Sequence, residues 1–219
     1  MKSNDVCIIG IRGTEGMGKA TLARVVYGMI SNKFEACSFI TNIREESKKC
    51  GLHKIQQILF RELLNDRDLK VDNDYNGVFM IQSRLRNKKI LLVLDDVNDL
   101  NQLNKLAGKC CWFGSGSRIM ITTRNRHLLV NHEVTEIYEA EVLNHYEALK
   151  LFSLKASKMD HPPEDYRKLS QAFVDYCKGL PLALEVLGSS LYDRSIVNGK
   201  VNWVGSPNFV MEKFSVCFE

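Results

Sequence analysis

Residues 6–22, VCIIGIRGTEGMGKATL, contain the strongest structural signal in the chain. A short β-rich run is followed by the residues Gly13, Gly16, Gly18 and Lys19, and then by apolar residues at helical spacing. Glycines allow backbone N–H groups to converge on phosphate oxygens, the amino end of a helix carries a partial positive charge, and a lysine reaches the outer phosphates. The spacing therefore predicts a strand, a phosphate-binding loop and a helix.

Two residues of this loop depart from what phosphate binding favours. The pattern G-x-x-x-x-G-K-[ST] is otherwise matched, but Ala20 stands where a hydroxyl would coordinate Mg²⁺, and Thr21 points about 100° further round the helix. We therefore expect nucleotide binding with a weakened dependence on Mg²⁺. A Glu15 carboxylate at about 6 Å from a phosphate would cost about 3 kcal/mol at an effective dielectric constant of about 20, so we expect this side chain to point to solvent.

The composition disfavours several classes of protein. The 219 residues are 45% hydrophobic and 26% charged, with a net charge of +4, and no apolar run approaches the roughly 20 residues of a membrane span. The basic clusters at 44–49 and 84–89 lack interleaved aromatic residues, which favours solvated helix ends over nucleic-acid contacts. Seven cysteines without a C-x-x-C pair favour a reducing compartment. We predict a cytoplasmic protein that binds neither nucleic acid nor membranes.

Strand-like and helix-like segments alternate through the first 140 residues. Strands are predicted at 6–11, 36–40, 90–94, 117–122 and 136–139. Helices are predicted after the loop, around 55–63, at 75–85 and near 99, with a polar linker over 42–51. The unbroken apolar run at 90–94 is typical of a strand covered on both faces of a parallel sheet, and we expect it at the centre of the fold. Strands separated by helices predict an α/β fold with a mostly parallel sheet.

The remainder of the chain has a different pattern. Helical periodicity alone follows Asn144, with the last helix beginning at Pro181 after a glycine stop. Residues 193–219 show neither helical nor strand periodicity. We therefore predict a nucleotide-binding domain over 1–140, a helical subdomain over 144–192 and a disordered tail over 193–219.

Acidic and basic residues follow two of the predicted strands. Ligands of open parallel sheets bind beyond the carboxyl ends of strands, so Asp95 and Asp96 are expected to face the same crevice as the loop. Asp95 is then a candidate Mg²⁺ ligand, and Asp96 a candidate to orient or deprotonate a water molecule. Alternatively, the pair only ends the strand and caps a helix near Asp99. Arg124 follows the next strand, where a phosphate sensor and an ordinary salt-bridge partner are both open interpretations.

Five blocks of sequence resemble, in order, the NB-ARC module of plant disease-resistance receptors, which are P-loop signalling NTPases. These blocks cover residues 8–27, 34–52, 88–103, 116–129 and 178–191. The block from 34 and the residue Asn98 resemble receptors that carry a Toll/interleukin-receptor-like amino-terminal domain. The resemblance implies a P-loop NTPase three-layer sandwich followed by a small helical subdomain of the ARC1 type.

The resemblance also implies roles for individual residues. Phosphates would be cradled by the loop glycines, Lys19 and Thr21, with Ala20 at a position that is usually threonine. Asp95 and Asp96 would be the Mg²⁺ and hydrolysis acids, and Arg124 the phosphate sensor. Pro181 would contact the nucleotide from the helical subdomain.

The function implied by the resemblance is an ADP/ATP-controlled switch in immune signalling. Hydrolysis would be slow, and the module would act with other domains or proteins of a receptor complex. Because family members carry further domains, the resemblance also predicts a truncated fragment. Two alternatives remain open: a fragment that acts only through protein contacts, and an active P-loop ATPase or kinase.

Overall fold

The computed structural model describes residues 5–66 and 69–192. These residues form two compact units, the first comprising 5–15 and 19–140 and the second comprising 16–18 and 141–192. The predicted tail at 193–219 lies outside the described residues. No helix among the described residues is long and apolar enough to cross a membrane.

The first unit is built on a sheet of five parallel strands. They are β1 (Cys7–Arg12), β2 (Ala36–Ile40), β3 (Ile90–Leu94), β4 (Arg118–Thr123) and β5 (Glu136–Glu139), in the spatial order β2-β3-β4-β1-β5. All four neighbouring pairs are parallel. The α/β fold and the five predicted strands are therefore confirmed. β3 lies between β2 and β4 and is fully buried, as expected for a strand at the centre of the fold.

Helices cover both faces of this sheet. They are α1 (Lys19–Ile30), α2 (Ile43–Cys50), α3 (Leu52–Leu64), α4 (Asp74–Leu85), α5 (Leu100–Leu106) and α6 (Arg126–Asn131). Alternate residues of β3 point to opposite faces, so Leu91 and Val93 pack with the α1 side, and Leu92 and its neighbours with the larger cluster formed by α3 to α6. This burial on both sides explains why β3 is apolar at every position.

Only part of the apolar surface of α1 faces the sheet. Ala23 is fully buried, and Val26 and Tyr27 pack beside it. Val25 is 56% exposed and Met29 is 71% exposed. The apolar spacing of this helix therefore does not by itself define which residues face inward.

The predicted polar linker at 42–51 is wrong, because most of it forms α2. Ile43 is fully buried at the start of this helix. The first turn carries two glutamates and the last turn two lysines, which complement the helix dipole. Only one apolar residue anchors the segment, so hydrophobic periodicity could not reveal a helix whose favourable signal lies in its charges.

The second unit is helical. It contains α7 (His145–Ser157), α8 (Arg167–Cys177) and α9 (Pro181–Tyr192). Asn144 and Glu147 form a reciprocal capping box at the start of α7. The core of this unit includes the buried rings of Phe152 and Phe173, whose centroids are 5.7 Å apart, and Leu184 of α9. The expected helices after Asn144 are therefore present.

Candidate phosphate-binding site

The loop between β1 and α1 uses its glycines in different ways. Gly16 has φ of +78° and Gly18 has φ of +77°, which is the left-handed region that favours glycine. A Cβ at Gly18 would meet no heavy atom within 4 Å, so the backbone angle rather than crowding requires glycine there. The N–H of Gly13 donates to the carbonyl of Thr123 at 3.3 Å and so extends the pairing of β1 with β4. Gly13 therefore ends the strand, while the loop itself turns at Gly16 and Gly18.

Lys19 is the first residue of α1 and folds back over the loop. Its Nζ donates to the Thr14 carbonyl at 2.7 Å. Burial lowers the pKa of Lys19 from 10.5, and the nearby Arg124 lowers this pKa further, while Asp96, Asp95 and Glu15 act in the opposite direction. Both positive and negative side chains therefore act on the ammonium group. Additional negative charge nearby would stabilise its protonated form.

The next two residues of α1 offer little to a metal ion. Ala20 is half-buried and carries only a methyl group, and Thr21 is exposed. Among the described residues, no group of three or more His, Cys, Asp or Glu side chains is placed to hold a metal ion. The methyl group of Ala20 therefore offers no oxygen to a metal ion.

Asp95 is buried at the carboxyl end of β3. It is 6% exposed, and its Oδ1 accepts a hydrogen bond from the Thr122 hydroxyl at 2.6 Å. The same hydroxyl accepts the N–H of Asp96 at 2.9 Å. Thr122 thus binds both acids, and it follows the last paired residues of β3 and β4, Leu94 and Ile121, in register. This hydroxyl therefore links the two acids, whose backbones also pair with Ile40, Ile43 and Arg44.

Asp96 directs its carboxylate toward two arginines. Its φ of +53° lies in the left-handed region, which the short polar side chain of aspartate tolerates. The distance from Oδ2 to Nε of Arg44 is 3.1 Å, and that from Oδ1 to Nε of Arg124 is 3.8 Å. Among the described residues, the buried Nε of Arg44 has no partner with hydrogen-bond geometry, so its attraction to Asp96 is electrostatic. Asp96 would have to exchange one of these partners before it could approach a water molecule.

Arg124 also binds Glu15, a contact that the sequence did not predict. Arg124 Nη1 donates to Glu15 Oε2 at 2.5 Å. The Glu15 side chain is 67% exposed, as expected, but its carboxylate is directed to the arginine rather than to open solvent. The structure therefore contains the salt bridge that was one interpretation of Arg124, while its role as a phosphate sensor stays a prediction.

The structure also places Asp99 and Pro181, both at the starts of helices. Asp99 caps α5 by accepting the N–H of Asn101 at 2.8 Å, so the interpretation of the acidic pair as the helix cap is wrong. Pro181 begins α9 in the second unit, and its contact with nucleotide stays a prediction. Sequence reasoning missed Arg44 and Thr122. Arg44 had been assigned to a solvated basic cluster, whereas Thr122 could have been found by extending the pairing of β3 and β4 by one residue.

Comparison with known proteins supports the resemblance to the NB-ARC module. The chain matches the NB-ARC domain family over residues 1–161. It is 45% identical over 197 residues to disease resistance protein RPV1 of Vitis rotundifolia, a match that covers 90% of this chain and 14% of that protein. It is 40% identical over 204 residues to TMV resistance protein N of Nicotiana glutinosa, covering 90% of this chain and 17% of that protein. The chain thus spans only a small part of the length of these plant disease-resistance relatives.

A solved structure shares the fold. A mutant RuvB from Thermotoga maritima superposes with a TM-score of 0.54 at 14% identity, covering 96% of this chain and 62% of that chain. This similarity shows the α/β fold and nothing finer. Because the family match extends through the whole first unit and into the second, the chain belongs to the NB-ARC domain family.

Proposed function

We propose that this chain is an ADP/ATP-binding regulatory module of a plant immune receptor, with weak or no ATP hydrolysis. The observation that carries the proposal is the position of Lys19, which is half-buried and folds back over the glycine loop, with its Nζ 2.7 Å from the Thr14 carbonyl. Nucleotide binding is typical of the family to which the chain belongs. The two relatives described above are disease-resistance proteins, which supports a role in plant defence.

The residues present suit a diphosphate. Left-handed glycines at 16 and 18 orient backbone N–H groups as in anion-binding loops, and the space beside Gly18 is open. Lys19 supplies a positive charge whose protonated form an anion would stabilise. Thr21 adds an exposed hydroxyl at the first turn of α1. These groups would hold the phosphates, and Pro181 would contact the nucleotide, as the family resemblance implies.

The same residues suit Mg²⁺ less well, which supports weak turnover. Asp95 would hold the ion, in part through water, and a bound Mg²⁺ would neutralise charge on the phosphates. Ala20 contributes no oxygen, and one oxygen of Asp95 already accepts a hydrogen bond from Thr122. Asp96, the proposed hydrolysis residue, is engaged by Arg44 and Arg124. Both the Mg²⁺ ligands and the carboxylate that would activate water are therefore less suited to hydrolysis.

The wider biological setting is also part of the proposal. We place the chain among receptors of the Toll/interleukin-receptor type, working in the cytoplasm with other domains or proteins of a receptor complex. Support for the receptor type comes from the block that begins at residue 34 and from Asn98, and support for the cytoplasm comes from the free thiols of the six described cysteines. That the chain is a truncated product stays a prediction from the sequence.

Calorimetric titration with ADP, with and without Mg²⁺, tests the proposal. The wild-type chain should bind ADP, and the Lys19→Ala variant should lose measurable binding. Lys33→Ala is the matched control, because Lys33 is an exposed lysine in the turn after α1. At 100 times the dissociation constant, ADP should stabilise the wild-type fold by about 2.7 kcal/mol.

Two outcomes would count against this function. A folded wild-type chain that releases no heat and gains no thermal stability with saturating ADP would favour the alternative of a fragment acting through protein contacts. Steady ATP turnover that depends on Mg²⁺ would favour an active ATPase instead.

A further inference from the structure

Glu15 binds Arg124, the side chain that a terminal phosphate would need. Its carboxylate lies 2.5 Å from Nη1 of Arg124, although the two residues are 109 positions apart in the sequence. The contact forms because β1 and β4 are neighbours, so that the loop after one strand meets the residue after the other. Arg124 thus has an anionic partner supplied by the phosphate loop itself.

We propose that Glu15 determines nucleotide preference by competing with the terminal phosphate for Arg124. The inference rests on the proposed function. A triphosphate that recruits Arg124 must displace the carboxylate from this side chain. A diphosphate held by the loop and Lys19 leaves the pair of Glu15 and Arg124 intact. Glu15 therefore favours ADP over ATP.

The surroundings of Arg124 leave the guanidinium few other anionic partners. On the described residues, its second acidic neighbour is Asp96, at the longer distance of 3.8 Å from Nε. Without Glu15, Arg124 would keep this weaker partner and its Nη1 would become available to an incoming phosphate. The Glu15 contact is thus the one that a phosphate has to replace.

The exposure of the pair limits the size of the effect. The side chains of Arg124 and Glu15 are 36% and 67% exposed, so solvent screens their attraction. An exposed ion pair of this kind changes an equilibrium by up to about fivefold. We therefore expect Glu15 to shift the ratio of the two affinities by about twofold to fivefold, rather than to abolish ATP binding.

The test measures dissociation constants for ADP and ATP in EDTA, where the absence of Mg²⁺ prevents turnover. In Glu15→Gln, the ratio of the ATP constant to the ADP constant should fall by about twofold to fivefold. Asp66→Asn is the matched control, because it also removes one negative charge from an exposed pair with an arginine, Arg84, in the first unit. This control should leave the ratio unchanged.

A double-mutant cycle then separates competition from simple repulsion. In an Arg124→Ala background, Glu15→Gln should no longer change the ratio, because the carboxylate has no guanidinium to withhold. An equal fall in this background would mean that Glu15 only repels phosphates, and would overturn the inference. If ADP binds but the ratio stays constant in Glu15→Gln, the inference alone is wrong. If ADP fails to bind the wild-type chain, the proposed function is wrong as well.

Discussion

Replacing Thr122 with valine removes the hydroxyl that positions both strand-end acids. That hydroxyl donates to Oδ1 of Asp95 at 2.6 Å and accepts the N–H of Asp96 at 2.9 Å. Thr122 is 1% exposed, so water cannot readily replace its bond to Asp95. Valine has nearly the same shape, and the change therefore removes polar contacts without opening a cavity.

The expected cost follows from these two contacts. A hydrogen bond to an ionised carboxylate contributes about 1.5–3 kcal/mol, and a buried N–H left without an acceptor costs about 1–3 kcal/mol. Because the neighbouring Asp96 side chain is partly exposed, some of the second cost is relieved by solvent. We expect Thr122→Val to lower the free energy of unfolding of the first unit by about 3–5 kcal/mol. Thr122→Ser keeps the hydroxyl and should lose only about 1 kcal/mol, for one buried methyl group.

Urea unfolding followed by Trp112 fluorescence measures this difference. Trp112 is buried in the first unit, and the chain has one other tryptophan, Trp203, which should be replaced by phenylalanine in every variant. Trp112 then reports the first unit alone. If the valine and serine variants unfold within about 1 kcal/mol of each other, Thr122 does not hold the acids in the way the geometry indicates.

Two further predictions concern the metal and the lysine. Ala20→Thr should restore the missing ligand, so that Mg²⁺ strengthens ADP binding more than in the wild-type chain. Ala20→Val, whose side chain has the shape of threonine without the hydroxyl, should not have this effect. Equal effects of Mg²⁺ on ADP binding by the two variants in calorimetry would contradict the prediction. The lowered pKa of Lys19 means that its ammonium deprotonates below 10.5, so ADP affinity should decline as pH rises through that folded-state pKa. Over the same interval the ligand-free fold should gain stability, because the unfolded chain there binds more protons. Lys19→Arg remains charged, and its ADP affinity should show no such decline.

Much of the fold could be predicted because its signals are local. The β-rich run at 6–11 and the apolar run at 90–94 each carry their own periodicity, and both form strands close to the expected bounds. The glycine spacing of the loop likewise reflects a local backbone requirement, met at Gly16 and Gly18. Parallel strand ends then place residues after β3 and β4 at one edge of the sheet.

The errors have a different physical origin. α2 contains one buried apolar anchor, Ile43, and its remaining support comes from charges at its two ends, which hydrophobic periodicity does not detect. α1 is a helix as predicted, but its apolar residues cover a broad arc, and only packing against the sheet selects Ala23 as the buried residue.

The sequence by itself determined the strands, most helices, the phosphate loop and the missing hydroxyl at Ala20, since each depends on residues near one another in the chain. Only the tertiary structure decided that Thr122 joins the two acids, that Arg44 faces Asp96, and that Glu15 binds Arg124. These contacts depend on which strands are neighbours and in which register. Strand order and register arise from the packing of the whole sheet, and no local pattern of residues specifies them.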